Sequence, residues 1–479
     1  MKNIFTKKTM SFRVLTRNLV THAKCTTYRS KQDLSLSFEM TNIVKPLLSF
    51  GGLMLTAVLA FGQANIMPAK PQSGPIVITG ATIHVGNGKV INNGYIAFDK
   101  GKITAIGEGT APNAGGATVV NASGKQIYPG FICPITSLGL VEFESIRATD
   151  DETETGELNP HVRSLIAYNT DSKVIPTVRS NGVLLAQPTP QGGTIPGQSS
   201  VMMLDGWNWE DAAYKKDIGI HLTWPVANRG GRRRAFVVPG ASQESPAERA
   251  QKAIDELSSL FSQAKGYAET KPAVTNVRLA AMVGLFNGTK KLFINADGAK
   301  EIIQAVNFAK QFGVQAVIVG GKESYLVTDV LKDNNVPVII KETQTLPAKD
   351  EDDVYLPYKL PHLLQDAGVM YGLTGIGFWR QRNLPFEAGQ AVGYGLTKEQ
   401  AISMITLNNA KILGIDKTTG TLETGKDATL FISTGDALDM LTLNVENAYI
   451  VGKAISLDNL HKQLYKRYSE KYGLKADGK

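Results

Sequence analysis

The chain has 479 residues, with 51 Lys and Arg, 43 Asp and Glu, and a formal net charge of +8. Residues 1–64 hold nine Lys and Arg but only Asp33 and Glu39, so the rest of the chain has 42 basic and 41 acidic side chains. Because the basic excess is confined to the start, the charge gives no support to nucleic-acid binding. Of the two cysteines, only Cys133 follows residue 64, which excludes a disulfide within that later part.

The first segment with a recognisable pattern runs from residue 40 to residue 64. A short basic stretch at 40–45 precedes an apolar run at 47–61, and Gly62 and Ala64 fit a cleavage site after Ala64. At about 15 residues the apolar run is shorter than the ~20 that a membrane-spanning helix needs. We interpret 40–64 as a signal peptide and 1–39 as a leader or a mis-called start. The expected protein is secreted across the inner membrane into the periplasm, without a stable membrane anchor.

Both ends of the remaining chain are rich in short β-type runs. Residues 76–106 alternate apolar and polar side chains, with hairpin signals at 86–89 (GNGK) and 92–94 (NNG). Residues 420–455 have the same character. We therefore predict one small β-sandwich built from 65–128 and 416–457, closed around a larger domain at 129–415, with a C-terminal tail at 458–479.

The middle of the chain alternates apolar strands with helical patterns, which is typical of an α/β fold. The predicted helices are 246–269, 299–311, 323–334 and 397–413. The predicted strands are 130–135, 200–204, 218–222, 291–295, 314–319, 336–340 and 368–373. Repeated strand–helix units over ~280 residues favour a (β/α)8 TIM-like barrel over a doubly wound sheet, although the periodicity alone fits both.

Two groups of motifs resemble the amidohydrolase superfamily. The first is GKQ at 124–126 followed by PGFI at 129–132, which resembles the entry to the first barrel strand. The second comprises a helix ending in NNAKILGI at 408–415, then TGTLETGKDATLFI at 419–432, then AYIVGKAI at 448–455. The likeness covers about residues 76–457 and is closest to secreted imidazolonepropionase-like amidohydrolases. It implies metal-assisted hydrolysis of C–N bonds in amides, ureas or cyclic imides.

The metal ligands that this resemblance implies are missing. Most members have Asp-x-His-x-His after the strand entry, where this chain has CPIT at 133–136. The later family histidines fall at Asn295 and Gly320, and the family aspartate falls near Gly375 or Ile376. Because zinc sites need three or four histidine, cysteine or carboxylate ligands, we predict no family-type metal centre and no cofactor. A single metal ion in a non-standard site stays an alternative.

Four residues at predicted strand ends are the candidate catalytic groups: Asp297, His221, Asn295 and Glu342. In a barrel of this kind the chemistry occurs at the carboxyl ends of the strands. Asp297 is a candidate base or ligand, with the cap of the following helix as the alternative. His221 is a candidate proton acceptor, with a hydrogen-bonded core histidine as the alternative. Cys133 is a candidate nucleophile, but a small buried core residue is the favoured interpretation.

Three charged loops are expected near the same face, at 150–157, 229–234 and 350–353. Each is interpreted as a solvated loop, with weak calcium binding by the acidic loops and capture of an acidic ligand by the arginines as alternatives.

Two functions fit these sequence features. The first is a hydrolase acting on carbon–nitrogen bonds other than peptide bonds, with a non-standard or absent metal site. The alternative is a catalytically inactive relative that binds a small molecule, forms an oligomer or pairs with an active homologue. Neither involves nucleic acid.

Overall fold

The computed structural model describes residues 66–112, 115–226, 245–270 and 272–474. The predicted leader, the predicted signal peptide and the arginine loop at 229–234 lie outside these residues. No helix in the described ranges is long and apolar enough to cross a membrane.

Strands from both ends of the described chain form one eight-stranded sheet. Strand β5 joins the two ends, because it pairs in parallel with β1 and antiparallel with β14. The order is β16-β15-β14-β5-β1-β2-β3, with β4 also paired to β1. The strands are β1 (Ile76–His84), β2 (Val90–Asp99), β3 (Lys102–Glu108), β4 (Thr118–Asn121), β5 (Gln126–Pro129), β14 (Leu430–Ser433), β15 (Val445–Ile450) and β16 (Lys453–Ala454).

The turns of this sheet follow the glycine and asparagine signals, with one correction. The predicted turn at 86–89 joins β1 to β2, and Gly86 and Gly88 adopt the positive φ that such a turn needs. The predicted turn at 92–94 is instead an irregularity inside β2, where Asn93 has φ +46° and the register with β1 shifts. The β2–β3 hairpin turns at Lys100 and Gly101, which both have positive φ.

A second eight-stranded sheet forms the barrel, in the order β13-β12-β11-β10-β9-β8-β7-β6. Its strands are β6 (Phe131–Thr136), β7 (Val183–Pro188), β8 (Gly197–Met203), β9 (Ala213–Thr223), β10 (Lys291–Ala296), β11 (Ala316–Gly320), β12 (Val338–Ile340) and β13 (Tyr371–Leu373). Every neighbouring pair is parallel except those of β8, which runs antiparallel to β7 and β9. This architecture, with its separate sheet from the two ends, confirms the predicted fold class, while the exact domain boundaries stay a prediction.

Helices cover the barrel and differ from prediction at two places. The predicted helix 323–334 is a short 3-10 turn at Ser324–Leu326 followed by a one-and-a-half-turn helix. The predicted helix 397–413 breaks at Thr406, whose ψ of −89° is not helical. The helices are α1 (Ser164–Ala167), α2 (Ile175–Arg179), α3 (Trp209–Ala212), α4 (Pro246–Thr270), α5 (Val277–Phe286), α6 (Ala299–Phe312), α7 (Thr328–Asp333), α8 (Leu356–Asp366), α9 (Leu384–Val392), α10 (Lys398–Ile405), α11 (Leu407–Leu413) and α12 (Leu460–Tyr472).

The seam between the first and last barrel strands is closed by a side chain. Asn409, on α11, is fully buried, and its Nδ2 donates to the carbonyls of Ile132 on β6 and Leu373 on β13, at 2.8 and 2.9 Å. A Cβ atom at position 372 would lie 2.0 Å from Asn409 Oδ1, so only glycine fits at this position. The inside of the barrel is filled by apolar side chains such as Leu185, Phe293 and Val317. The barrel is therefore a packed core whose chemistry can occur only at its ends.

Candidate active site at the barrel mouth

The mouth of the barrel is the face where the carboxyl ends of β6, β7 and β9–β13 meet the amino end of β8. In barrels of this kind catalytic side chains stand at this face. All four sequence-predicted candidates lie near these strand ends. His221 is on β9 and Asn295 on β10, while Asp297 and Glu342 stand one and two residues after β10 and β12. The structure shows which of them share a cavity and which are sealed in the barrel.

At the end of β6, the corner where the family pattern places its first histidines is closed by the protein itself. A pattern Asp-x-His-x-His that starts at Cys133 places its histidines at Ile135 and Ser137. Ile135 is buried with φ +51°, a left-handed conformation that a β-branched residue rarely adopts. The hydroxyl of Thr374 donates to the carbonyls of Pro134 and Ile135, the latter at 3.1 Å. Backbone and hydroxyl groups thus occupy this corner instead of imidazole rings.

Cys133 belongs to the same closed corner. Its side chain is fully buried, and its Sγ lies 3.4 Å from Thr374 Oγ1. Burial raises the pKa of the Cys133 thiol to about 11, so the thiol is protonated at neutral pH. Since the thiolate is the form that attacks carbon or binds zinc, this environment favours the interpretation of Cys133 as a core residue.

We expect Cys133 to resist alkylation in the folded protein. With iodoacetamide at pH 8, the peptide that contains Cys133 should stay unmodified over hours and should be labelled within minutes in strong denaturant, because unfolding removes the burial that keeps the thiol protonated. Peptide mass spectrometry separates this label from any label at Cys25. Rapid labelling of Cys133 without denaturant would show an accessible thiolate and revive the nucleophile hypothesis.

His221 lies inside the barrel, beneath the mouth, with 1% of its surface exposed. Its Nε2 is 2.6 Å from Ser199 Oγ, and Ser199 Oγ also accepts a hydrogen bond from Gln187 Nε2 at 2.8 Å. The imidazole stacks on Phe293, and its Nδ1 is buried without a hydrogen-bond partner. Burial lowers the pKa of His221 to about 3, so the ring is neutral over the physiological range.

A serine beside a histidine resembles a nucleophile and its base, but two features weaken that interpretation here. Ser199 is fully buried, so a substrate carbonyl has no route to its hydroxyl in this conformation. A base with a pKa about 3 is poorly matched to proton transfer at neutral pH. The hydrogen-bonded core histidine, named above as the alternative, fits these contacts better, and the catalytic role of His221 stays a prediction.

Asn295 and Asp297 lie two residues apart at the end of β10. Asn295 continues the inward-facing row of Phe293 and is partly exposed at the mouth. Asp297 does not cap α6: the N-cap residue is Gly298, and the carboxylate of Glu301 accepts from the backbone N–H groups of Asp297 and Gly298. The capping alternative for Asp297 is therefore wrong, and its carboxylate is left without that structural role.

The Asp297 carboxylate occupies space that the neighbouring strand leaves open. Its Oδ1 is buried without a hydrogen-bond partner. A Cβ atom at Gly320, at the end of β11, would lie 2.3 Å from this oxygen, so a side chain at position 320 does not fit beside it. Gly320 is the position where the resemblance expects a histidine. The family's ligand position is thus replaced by a glycine that makes room for a carboxylate from the adjacent strand.

Asp297 and Glu342 line one cavity of about 210 Å³ at the ends of β10, β11 and β12, and we call this the mouth cavity. Glu342 forms an ion pair with Arg380. The wall combines charged residues with an apolar surface. Its lining comprises Asp297, Gly320, Lys322, Ile340, Lys341, Glu342, Thr345, Leu346, Pro347, Ala348, Leu356, Pro357, Leu360 and Ile376. His221 and Asn295 are not among these residues, so the structure brings together two of the four candidates.

The residues at the family's ligand positions do not fit a family-type metal centre. Ile135, Asn295 and Gly320 offer no imidazole, thiolate or carboxylate, and the thiol of Cys133 is held in its protonated form. Among the described residues, no group of three or more His, Cys, Asp or Glu side chains is placed to hold one ion.

Comparisons with known proteins agree with this fold. Residues 380–455 match the model of the amidohydrolase family. Amidohydrolase tasK of Hapsidospora irregularis is 33% identical over 115 residues, which is 22% of this chain and 12% of that protein, so the chain spans only a small part of that relative. The structure resembles an amidohydrolase from Thermotoga maritima with a TM-score of 0.68 and 23% identity, over 80% of this chain and 99% of that one. It also resembles molinate hydrolase, with a TM-score of 0.52 and 14% identity, over 81% and 95% of the two chains.

These comparisons confirm the resemblance read from the sequence. The chain has the amidohydrolase fold, and the matched family segment, which runs from the turn before α9 to β16, contains the C-terminal motifs that carried the resemblance.

Proposed function

We propose that this chain, whose fold is that of the amidohydrolases, hydrolyses a carbon–nitrogen bond other than a peptide bond in the mouth cavity. One observation carries the proposal: a carboxylate oxygen, Asp297 Oδ1, is buried without a partner in the wall of a cavity at the carboxyl ends of barrel strands. Unpartnered carboxylates in clefts are costly to keep and are a mark of functional sites. The fold adds support, because this face carries the chemistry in such barrels.

In the proposed reaction Asp297 acts as the general base. It accepts a proton from a water molecule while the water oxygen attacks the substrate's carbonyl carbon. The C–N bond then breaks, and the nitrogen leaves with a proton that Asp297 returns. Lys341 lines the same cavity, and a positive charge there stabilises the negative charge that develops on the carbonyl oxygen.

The expected substrate is small, because the cavity is smaller than the ~300–1,000 Å³ of sites for drug-sized ligands. The apolar walls from Leu346, Leu356 and Ile376 suit a substrate with an apolar group beside its amide, urea or imide. Each acid–base or electrostatic contribution from protein groups is worth about 10²–10⁴ in rate, so a reactive or strained substrate is favoured over a stable amide.

A substrate screen with a matched pair of variants tests this function. Ala348 is exposed and lines the mouth cavity, so Ala348→Trp should fill the cavity without disturbing the core, and it should abolish hydrolysis of any amide, urea or cyclic imide that the natural protein cleaves. Ala273 is equally exposed and lies outside the lining, so Ala273→Trp should leave the rate unchanged.

The same screen is run before and after chelation. We expect activity to survive chelation, because the donor set at the family's ligand positions does not fit a metal. Activity that disappears with the chelator, or that is insensitive to Ala348→Trp, would overturn the proposed site. No hydrolysis of any substrate, together with tight binding of a small molecule that Ala348→Trp blocks, would favour the inactive ligand-binding alternative.

We also propose a periplasmic location. Its support is the sequence pattern at 40–64. Pairing with another copy of the chain or with an active homologue is a separate proposal.

A further inference from the structure

A buried carboxylate, Glu387, lies behind the mouth cavity and takes no part in the proposed chemistry. It stands on α9, with 3% of its surface exposed. Glu387 Oε2 accepts a hydrogen bond from the backbone N–H of Thr343 at 2.9 Å, and the backbone N–H groups of Thr343 and Gln344 both act to lower the pKa of the carboxyl. The hydroxyl of Thr343 donates to the backbone carbonyl of Glu387 at 2.9 Å. Two hydrogen bonds around one residue thus join the helix to the loop.

The loop that Glu387 holds forms one wall of the cavity. It follows β12, and six of its residues line the cavity: Lys341, Glu342, Thr345, Leu346, Pro347 and Ala348. Its far end is held by an ion pair between Lys349 and Glu323, in which the lysine is half-exposed. Exposed ion pairs of this kind add little rigidity. The contacts of Glu387 are therefore the buried anchor of this wall.

A carboxylate suits this position better than its amide. The backbone N–H groups of Thr343 and Gln344 both favour the charged carboxylate, which has two acceptor oxygens. A glutamine has one acceptor oxygen, and its NH₂ group would face one of the two N–H donors. Burying a carboxylate without an ion pair carries a large desolvation cost, so its presence here calls for a function that a neutral residue does not supply.

We propose that Glu387 is a positioning residue, whose carboxylate fixes the loop at 343–348 and thereby sets the wall of the mouth cavity and the access of a ligand to Asp297. The consequence for turnover rests on the proposed function, but the positioning of the loop is independent of any reaction.

The geometry makes the anchor responsive to pH. Burial raises the pKa of Glu387 to about 7, and the nearby charges act in opposite directions: Glu342 at the end of β12 raises it and Arg380 lowers it. The charge of Glu387 also acts on Cys133 of β6, whose thiol is neutral in this range, and α9 has no other titratable residue. Above pH 7 the carboxylate is charged and is a strong acceptor for the Thr343 N–H. Below pH 7 one oxygen carries a proton, which weakens this hydrogen bond.

Hydrogen–deuterium exchange of the full chain, followed by mass spectrometry of peptides covering 343–348, tests the proposal without a substrate. After correction for the intrinsic rates, exchange in the natural protein should be at least about tenfold slower at pH 8 than at pH 5.5. In Glu387→Gln the exchange at pH 8 should rise by at least about tenfold, and the dependence on pH should vanish. Should Glu387→Gln not fold, Glu387→Asp, which withdraws the carboxylate by one methylene, is expected to show the same rise.

Two controls separate a local effect from general destabilisation. Glu399, on α10, is partly buried and hydrogen-bonds His84 instead of the loop, so Glu399→Gln should leave exchange at 343–348 unchanged. Thr343→Val removes the hydroxyl bond but keeps both N–H donors, so it should keep the dependence on pH. Unchanged exchange in Glu387→Gln, or an equal rise in Glu399→Gln, would overturn the proposal. If Glu387→Gln loses protection of the loop but the natural protein hydrolyses no substrate, the positioning role of Glu387 stands. That result would count only against the proposed function.

Discussion

Replacing Asp297 with asparagine is expected to lower kcat by about 10²–10⁴-fold for any substrate that the chain hydrolyses, with a much smaller change in KM. The amide has nearly the same shape as the carboxylate, so it still fits beside Gly320, but it does not accept a proton from water. Because the lost interaction belongs to proton transfer, the effect should fall on the chemical step.

The matched control is Asp329→Asn. Asp329 is an exposed acid in the first turn of α7, so this change alters a charge near a helix start without touching the mouth cavity. It should leave kcat within a factor of about two, since an exposed charge at that distance is screened by solvent. Equal losses in the two variants, or no loss in Asp297→Asn, would show that the base is elsewhere. In that case the buried pair of Ser199 and His221 becomes the next candidate.

Removing Asp205 is expected to destabilise the fold by about 3–5 kcal/mol. Asp205 and Arg179 form a buried ion pair in which each side chain is 5% exposed, with Arg179 Nη1 2.8 Å from Asp205 Oδ1. The second carboxylate oxygen accepts from the backbone N–H of Ala69 at 2.9 Å. In Asp205→Leu the guanidinium stays buried without its counter-charge, and the pKa of Arg179, already lowered by burial, falls further.

Urea denaturation of Asp205→Leu, Arg179→Leu and the double variant measures this effect. The double variant should be more stable than either single variant, because it leaves neither charge buried alone. Asp353→Ala breaks the exposed pair with Lys359 and should change the unfolding free energy little. If each single variant loses less than about 1 kcal/mol of unfolding free energy, the prediction is wrong. The remaining charge would then be hydrated through local opening of the chain.

Most of the barrel was predictable because its strands are short apolar runs between glycines and helical patterns. The strand at 183–188 was missed because VLLAQP is fully buried and shows no alternation, and its short apolar run VLLA fits a buried helix equally well. The antiparallel direction of β8 was also not predictable, since alternation reports which face is buried and carries no information on direction. The break at Thr406 was also not predictable, because the helical pattern continues through it. There the hydroxyl of Thr406 donates to the Ile402 carbonyl, while the Thr406 backbone N–H donates to the Ser403 carbonyl.

The candidate site was only partly predictable. Asp297 and Glu342 were found because they stand one and two residues after buried strands, which places them at the mouth of any parallel barrel. His221 also lies near the end of a predicted strand, but its side chain is inside the barrel. The sequence does not show how deep along the strand a side chain lies, and this depth decides between mouth and core. Glu387 could not be found from the sequence, because LPFEAGQAV is the sequence of an ordinary helix. Its partner in the fold is a backbone N–H group more than 40 residues earlier in the chain.

The sheet that both ends build has a consequence for the order in which the protein can form. During synthesis β5 emerges with β1 already beside it, but its other edge has no partner until β14 leaves the ribosome, after the whole barrel has been made. Pairings between such distant segments are slow to form, and an unpaired edge can associate with the edge of another molecule. Until β14 pairs with it, β5 presents an unpaired edge on the nascent chain. We expect this interval to be when the nascent molecule is most exposed to edge-to-edge association.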